Sequence, residues 1–188
     1  MLKTNGKEFI RKGIYYMKEQ KYSNEIIEKI KQAMSEDRSF YIAYGSNINI
    51  EQMMMRCPNT IEIMEEVLTP YEITFRQTEL GSFLDMDMSA RLIDNRYVMR
   101  TPVVIYALTK EDEQRLDGFE HYPDIYIKKN VVFVVDKGLY LNCYYYTLKE
   151  KTPYGKPSDK YVNICKKGYE NHNFDQSILL DALKKVGE

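Results

Sequence analysis

A chain of 188 residues, 44% of them hydrophobic, has room for one domain with a buried core and a small appendage. Charged residues make up 29% and nearly cancel to a formal net charge of -1, so the balance favours neither nucleic acid nor an anionic membrane surface as partner. No apolar run approaches the ~20 residues of a membrane helix, and the opening MLKTNGKEFIRKG lacks the apolar core of a secretory signal, which reads as a cytoplasmic protein.

Residues 7–34 carry apolar positions at helical spacing in two stretches: Phe9, Ile10, Ile14 and Met17, then Ile26, Ile27, Ile30 and Met34. A break at Lys21-Tyr22-Ser23, with Ser23 as N-cap of the second stretch, predicts a helical hairpin. Residues 35–39 form a polar linker. Short β-type runs then follow at 40–44, 71–76, about 91–93, 102–108, 126–135 and 139–148, with helices near 49–56 and 110–116. The chain closes in helix over 158–185, capped by Ser158 or Asp159, with a second helical run from Gln176 to Val186. Strands interrupted by single helices read as α+β: a curled sheet or small mixed β-barrel flanked by helices over residues 40–188, with a helical extension over 1–39. That extension is read as a cover for an open edge or apolar face, with a homodimer or partner contact as the alternative.

Cys57, Cys143 and Cys165 are odd in number and widely spaced, as reduced thiols are. His121 and His172 are the only histidines, and without CxxC or HExxH no zinc site is expected. Tyrosine is abundant, 17 copies against no tryptophan; most fill half-buried strand positions, and the rest offer a hydroxyl on an apolar body to a polar pocket.

Three segments carry chemistry. YIAYGSN, residues 41–47, is a strand that breaks at Gly45-Ser46-Asn47 before a helix, which leaves backbone N–H groups free to seat an anion. It lacks the lysine and glycine density of a nucleotide phosphate loop, so a small carboxylate is the better fit. In RLDGFEHYPDIYIKKNVVF, residues 115–133, a helix ends near Leu116 and Glu120 lies among aromatic residues before a strand. Desolvation there raises a carboxyl pKa and suits proton transfer, although a lone loop glutamate is more often solvated surface. In residues 142–172 a tyrosine-rich strand leads through a Pro/Gly loop into a helix, so that Tyr146 and Tyr161 can face a common pocket.

Together the segments resemble the gamma-glutamylcyclotransferase family. YIAYGSN followed by Arg56-Cys57-Pro58 resembles its opening signature, RLDGFEHYPDIY its acid-bearing LDxxEG segment, and PSDKYVNICKKGYENHNFD its C-terminal PSxxY helix, in the family's order over about residues 40–185. The resemblance implies a small β-barrel flanked by helices that needs no metal or cofactor. It implies that Tyr41, Ile42, Ala43, Tyr44, Gly45 and Ser46, with Asn47, cradle the α-carboxylate of a γ-glutamyl group. Glu120 is implied as the general acid/base, Tyr161 as lining the substrate site, and Tyr126 and Tyr146 as lying near it. The partner implied is a small γ-glutamyl molecule. The sequence departs from the family at His121, where glycine is usual, at Ser89-Ala90-Arg91, and in its N-terminal extension. The chemistry implied is self-cyclisation of a γ-glutamyl amide or peptide to 5-oxoproline, with a γ-glutamylamine cyclotransferase or a non-catalytic metabolite-binding protein as alternatives.

Overall fold

The computed structural model describes residues 15–16, 22–89, 92–93, 96–97, 99–136 and 138–187. A two-residue strand β1 (Tyr15–Tyr16) precedes helix α1 (Asn24–Ser35), whose N-cap Ser23 accepts from the Ile26 N–H. Strand β2 (Ser39–Ala43) runs into a 3-10 turn (Ser46–Ile48) and helix α2 (Ile50–Arg56), capped by Asn49. Then come β3 (Ile61–Leu68), the ribbon β4 (Tyr71–Thr78) and β5 (Gly81–Met88), the short pair β6 (Leu92–Ile93) and β7 (Arg96–Tyr97), and β8 (Thr101–Leu108). Helix α3 (Lys110–Phe119), the antiparallel pair β9 (Tyr126–Asp136) and β10 (Leu139–Leu148), and helices α4 (Asp159–Asn171) and α5 (Gln176–Lys184) complete the chain.

The α+β class holds. Six strands form one mixed sheet in the order β1-β9-β10-β2-β8-β3, with β10 and β2 parallel and β2, β8 and β3 antiparallel. Every residue of β8 is buried, as a strand covered on both faces requires, which is why its sequence is a continuous apolar run without alternation. The expected barrel is replaced, among the described residues, by this sheet plus a separate β4–β5 ribbon. Side chains make part of the join between them: Asp85 of β5 accepts from the Leu148 N–H (3.0 Å) and the Thr147 hydroxyl (2.9 Å) of β10, and Thr101 of β8 donates to the Tyr71 carbonyl (2.9 Å) of β4.

Of the expected N-terminal hairpin, the second arm is α1. The first arm lies outside the described residues except at Tyr15–Tyr16, which are extended and pair in parallel with Val131 and Val132 of β9. The apolar face of α1 turns inward, with Ile30 and Ala33 buried. Two long strands were not legible in the sequence. β3 carries Glu62, Glu65 and Glu66 and a register shift between Glu62 and Met64, which breaks the period-two pattern. β5 carries Asp85 and Asp87 facing Arg76 of β4, so its acids look like loop but act as a buried ion cluster. Helix α3 is longer than the pattern indicates, ending at Phe119 rather than near Leu116.

Candidate active site

The Gly45-Ser46-Asn47 break becomes a 3-10 turn because β2 pairing stops at Ala43 and Asn49 starts a new helix by accepting from the Gln52 N–H (3.0 Å). Among the described residues, the backbone N–H groups of Gly45, Ser46 and Asn47 have no protein acceptor. Gly45 has φ -115, an ordinary value; its lack of a side chain matters because a Cβ would lie 3.3 Å from the Tyr161 hydroxyl. Helix α4 presses on the back of the turn. Asn49 Nδ2 donates to the Ile164 carbonyl (3.4 Å), and His172 places Nε2 3.1 Å from the Ile48 carbonyl and Nδ1 2.9 Å from Glu65.

Glu120 is the C-cap of α3 rather than a residue of a strand entrance, and its N–H closes the helix onto the Leu116 carbonyl (2.9 Å). The next residue, His121, has φ 49, in the left-handed region that glycine adopts most easily and histidine tolerates. This gives a backbone reason for glycine being usual there in the sequences that the chain resembles. The helix end aims Glu120 at the turn. Asn47 Nδ2 donates to Glu120 Oε1 (2.9 Å) and to the Tyr41 hydroxyl oxygen (2.9 Å), while Asn47 Oδ1 accepts from Arg56 (2.7 Å) and Gln52 (3.2 Å). Asn47 is thus a fully used hub joining the acid to the turn. Gln52 also donates to Ser46 Oγ (2.7 Å), and the Arg56 guanidinium lies 3.6 Å from Glu120 and over the Phe119 ring. The Glu120 side chain is 17% exposed. Burial pushes its carboxyl above the ordinary carboxylate range, against the pull of Arg56 and of the Asn47 hydrogen bond.

These groups line a cavity of about 420 Å³, a size that holds a small ligand. Of the residues singled out from sequence, Tyr41, Tyr44, Gly45, Ser46, Asn47, Glu120, Tyr126, Tyr146 and Tyr161 line it. Ile42 and Ala43 do not: both are fully buried in the sheet, paired with Ile105 and Val104. The hydroxyls differ in what remains free. Tyr161 accepts from the Leu84 N–H (3.3 Å) with the buried Cys165 sulfur also beside its hydroxyl, and Tyr41 accepts from Asn47, so among the described residues neither hydroxyl proton is taken by an oxygen acceptor. Tyr146 is committed elsewhere, donating to Asp117 (2.6 Å), and Tyr44 donates to the Tyr146 carbonyl (2.7 Å). Residues that the sequence did not single out for the site include Gln52, Arg56, Phe83, Leu84 and Lys160. Arg56 stood in the quoted RCP motif, but its role depends on Asn47, nine residues earlier in the preceding turn, and on Glu120, which no local pattern reveals. Ala90 and Arg91 lie outside the described residues.

The cysteines are free and buried, and burial pushes the thiols of Cys57 and Cys165 up to about 12, away from thiolate chemistry. Among the described residues, Glu62, Glu65 and His172 group at metal-ligand spacing, behind the turn rather than among the cavity-lining residues. No described helix is long and apolar enough to cross a membrane.

No sequence family and no curated protein matches the chain. Known structures do. A gamma-glutamyl cyclotransferase superposes with TM-score 0.62 at 18% identity, covering 79% of this chain and 88% of that one. The protein loc79017 from Homo sapiens gives 0.63 at 19%, with the same coverage of 79% and 88%. YkqA from Bacillus subtilis gives 0.62 at 19%, covering 85% of this chain and 59% of its own length. Resemblance in three sequence segments and likeness in three dimensions agree on one conclusion: this chain has the gamma-glutamylcyclotransferase-like fold.

Proposed function

We propose that the chain is an enzyme that cyclises a γ-glutamyl amide or peptide to 5-oxoproline and releases the amine or amino acid. The observation that carries this reading is the 2.9 Å contact between Asn47 and Glu120, which hangs a partly desolvated acid over a turn with three free N–H groups. The α-carboxylate of the substrate sits on those N–H groups, with the Tyr161 hydroxyl beside Gly45 completing the seat. Pinned there, the α-amine faces its own γ-carbonyl, a proximity effect that replaces an enzyme nucleophile.

Glu120 takes a proton from the α-ammonium, and the amine nitrogen attacks the γ-carbonyl carbon. A C–N bond forms, closing the five-membered lactam, and the γ-amide C–N bond breaks. Glu120 then returns its proton to the departing nitrogen, and the second proton shed by the new ring nitrogen ends on the released amine; the lactam keeps one N–H, the amine leaves as its ammonium, and no net proton is consumed. A raised pKa suits this exchange because it lets the carboxyl hold and release a proton nearer neutrality.

Glu120→Gln keeps an acceptor for Asn47 and removes the proton shuttle. With γ-glutamyl peptides as substrates and 5-oxoproline as readout, kcat falls about 10²–10⁴-fold while 5-oxoproline binding persists. Near-normal turnover by the variant would remove Glu120 from its role. Binding without turnover by the unmodified protein would make the site a metabolite sensor instead.

A further inference from the structure

The cavity changes character with depth. Its floor is polar and buried: Tyr41, Asn47 and Ser46. Its mouth is apolar, with Leu80 53% exposed at the β4–β5 turn, Phe119 50% exposed at the end of α3, and Phe83, Ile125 and Ile164 half-buried between floor and rim. Phe119 is held in place by the Arg56 guanidinium, 4.7 Å from its ring centre. Lys160, in the first turn of α4, reaches the same mouth; it is exposed and makes no ion pair or side-chain hydrogen bond among the described residues. Among the described residues Glu120 is the only acid lining the cavity, and it is already faced by Asn47 and Arg56.

We propose that the released part of the substrate is an apolar amino acid: its side chain packs on Leu80, Phe83 and Phe119, and its carboxylate pairs with Lys160. This rests on the cyclotransferase reading above, which places the γ-glutamyl head on the floor and points the amine portion at the mouth. The apolar walls reward a hydrocarbon body. Lys160, unlike Arg56, is not held by Glu120, so it rewards a carboxylate; with no acid at the rim among the described residues to pair it, an amine that keeps a second positive charge is disfavoured.

Four probes separate the contributions: γ-glutamyl-leucine, γ-glutamyl-glycine, γ-glutamyl isoamylamide (the leucine compound without its carboxylate) and the γ-glutamyl putrescine amide. The expected kcat/KM for the leucine compound exceeds that for glycine at least about tenfold, from the side chain alone. It exceeds that for the isoamylamide about 2–5-fold, as one exposed ion pair allows, and the putrescine amide ranks below the isoamylamide. Lys160→Met brings the leucine-to-isoamylamide ratio to about one, and Leu80→Ser lowers the leucine-to-glycine ratio. Equal rates for leucine and glycine, a putrescine amide as good as leucine, or an unchanged ratio in Lys160→Met would overturn this inference while leaving cyclisation standing. Absence of 5-oxoproline from all four probes would overturn the cyclotransferase reading itself, and this inference with it.

Discussion

Two glycines, both in helices, are expected to respond to alanine in opposite directions. At Gly168 a Cβ would lie 2.7 Å from the Asn49 nitrogen, 3.0 Å from the Ile48 carbonyl carbon and 3.2 Å from the Asn49 Cα. All three are backbone atoms of the segment that ends the 3-10 turn and starts α2, so no side-chain rotation relieves the clash. Overpacking of this kind costs about 1–3 kcal/mol. For a chain of this size each kcal/mol moves Tm by about 2–4 °C, so Gly168→Ala lowers Tm by about 2–12 °C. At Gly118, in the last turn of α3, nothing lies within 4 Å of the added Cβ. There alanine only restricts the unfolded chain, a gain of about 0.4–1 kcal/mol and a rise of about 1–4 °C. Thermal unfolding of both variants followed by circular dichroism measures the pair. Because the clash displaces the turn carrying Ser46 and Asn47, Gly168→Ala also weakens 5-oxoproline binding, read by calorimetry. A Gly168→Ala protein as stable as the parent, or two variants shifting Tm the same way, would refute the close packing of α4 on the turn.

Burial raises the Glu120 pKa, so its contribution to stability is fully present below the ordinary glutamate value of about 4.3 and is lost as pH rises through the folded value. Glu120→Gln lacks this term, and its Tm gains on the parent as pH rises from acid towards neutral; parallel Tm–pH curves would contradict it. Lys128 of β9 grips Glu113 (2.6 Å) and Asp117 (2.7 Å), two residues one turn apart on α3, the helix whose cap is Glu120. Burial lowers the Lys128 pKa, but its bonds to Asp117 and Glu113 outweigh that and raise it; the stability it adds is present below about 10.4 and lost at more alkaline pH. Lys128→Met therefore frees the end of α3: kcat in the 5-oxoproline assay falls about 10–100-fold with little change in KM, and the alkaline loss of stability disappears. Asp85, 1% exposed, accepts from the Leu148 N–H, which has no other acceptor among the described residues, so Asp85→Ala costs about 1–3 kcal/mol for the orphaned donor, whereas Asp85→Asn keeps an acceptor and costs less in urea unfolding.

What the amino-acid order determined by itself is local. Ser23 and Ser158 cap their helices as their positions indicate, because a cap needs only the two or three residues that follow it. The apolar run at 102–108 announced a strand, and the break after Tyr44 announced a turn with free N–H groups. What tertiary structure alone decided is which distant groups meet. Asn47 and Glu120 stand 73 positions apart, and only the packing of α3 beside the end of β2 and the turn brings them to 2.9 Å. Tyr146 looked like a pocket hydroxyl, yet its proton is taken by Asp117, a choice made by how α3 lies on β10. The acids of β3 and β5 hid two strands because a charge reads as surface until its partner is known. Asp85 is neutralised and hydrogen-bonded by Arg76, Thr147 and Leu148, and two of those three arrive from a strand more than sixty residues away. Short-range backbone preferences are written residue by residue, whereas desolvation and pairing depend on neighbours that exist only once the chain has folded.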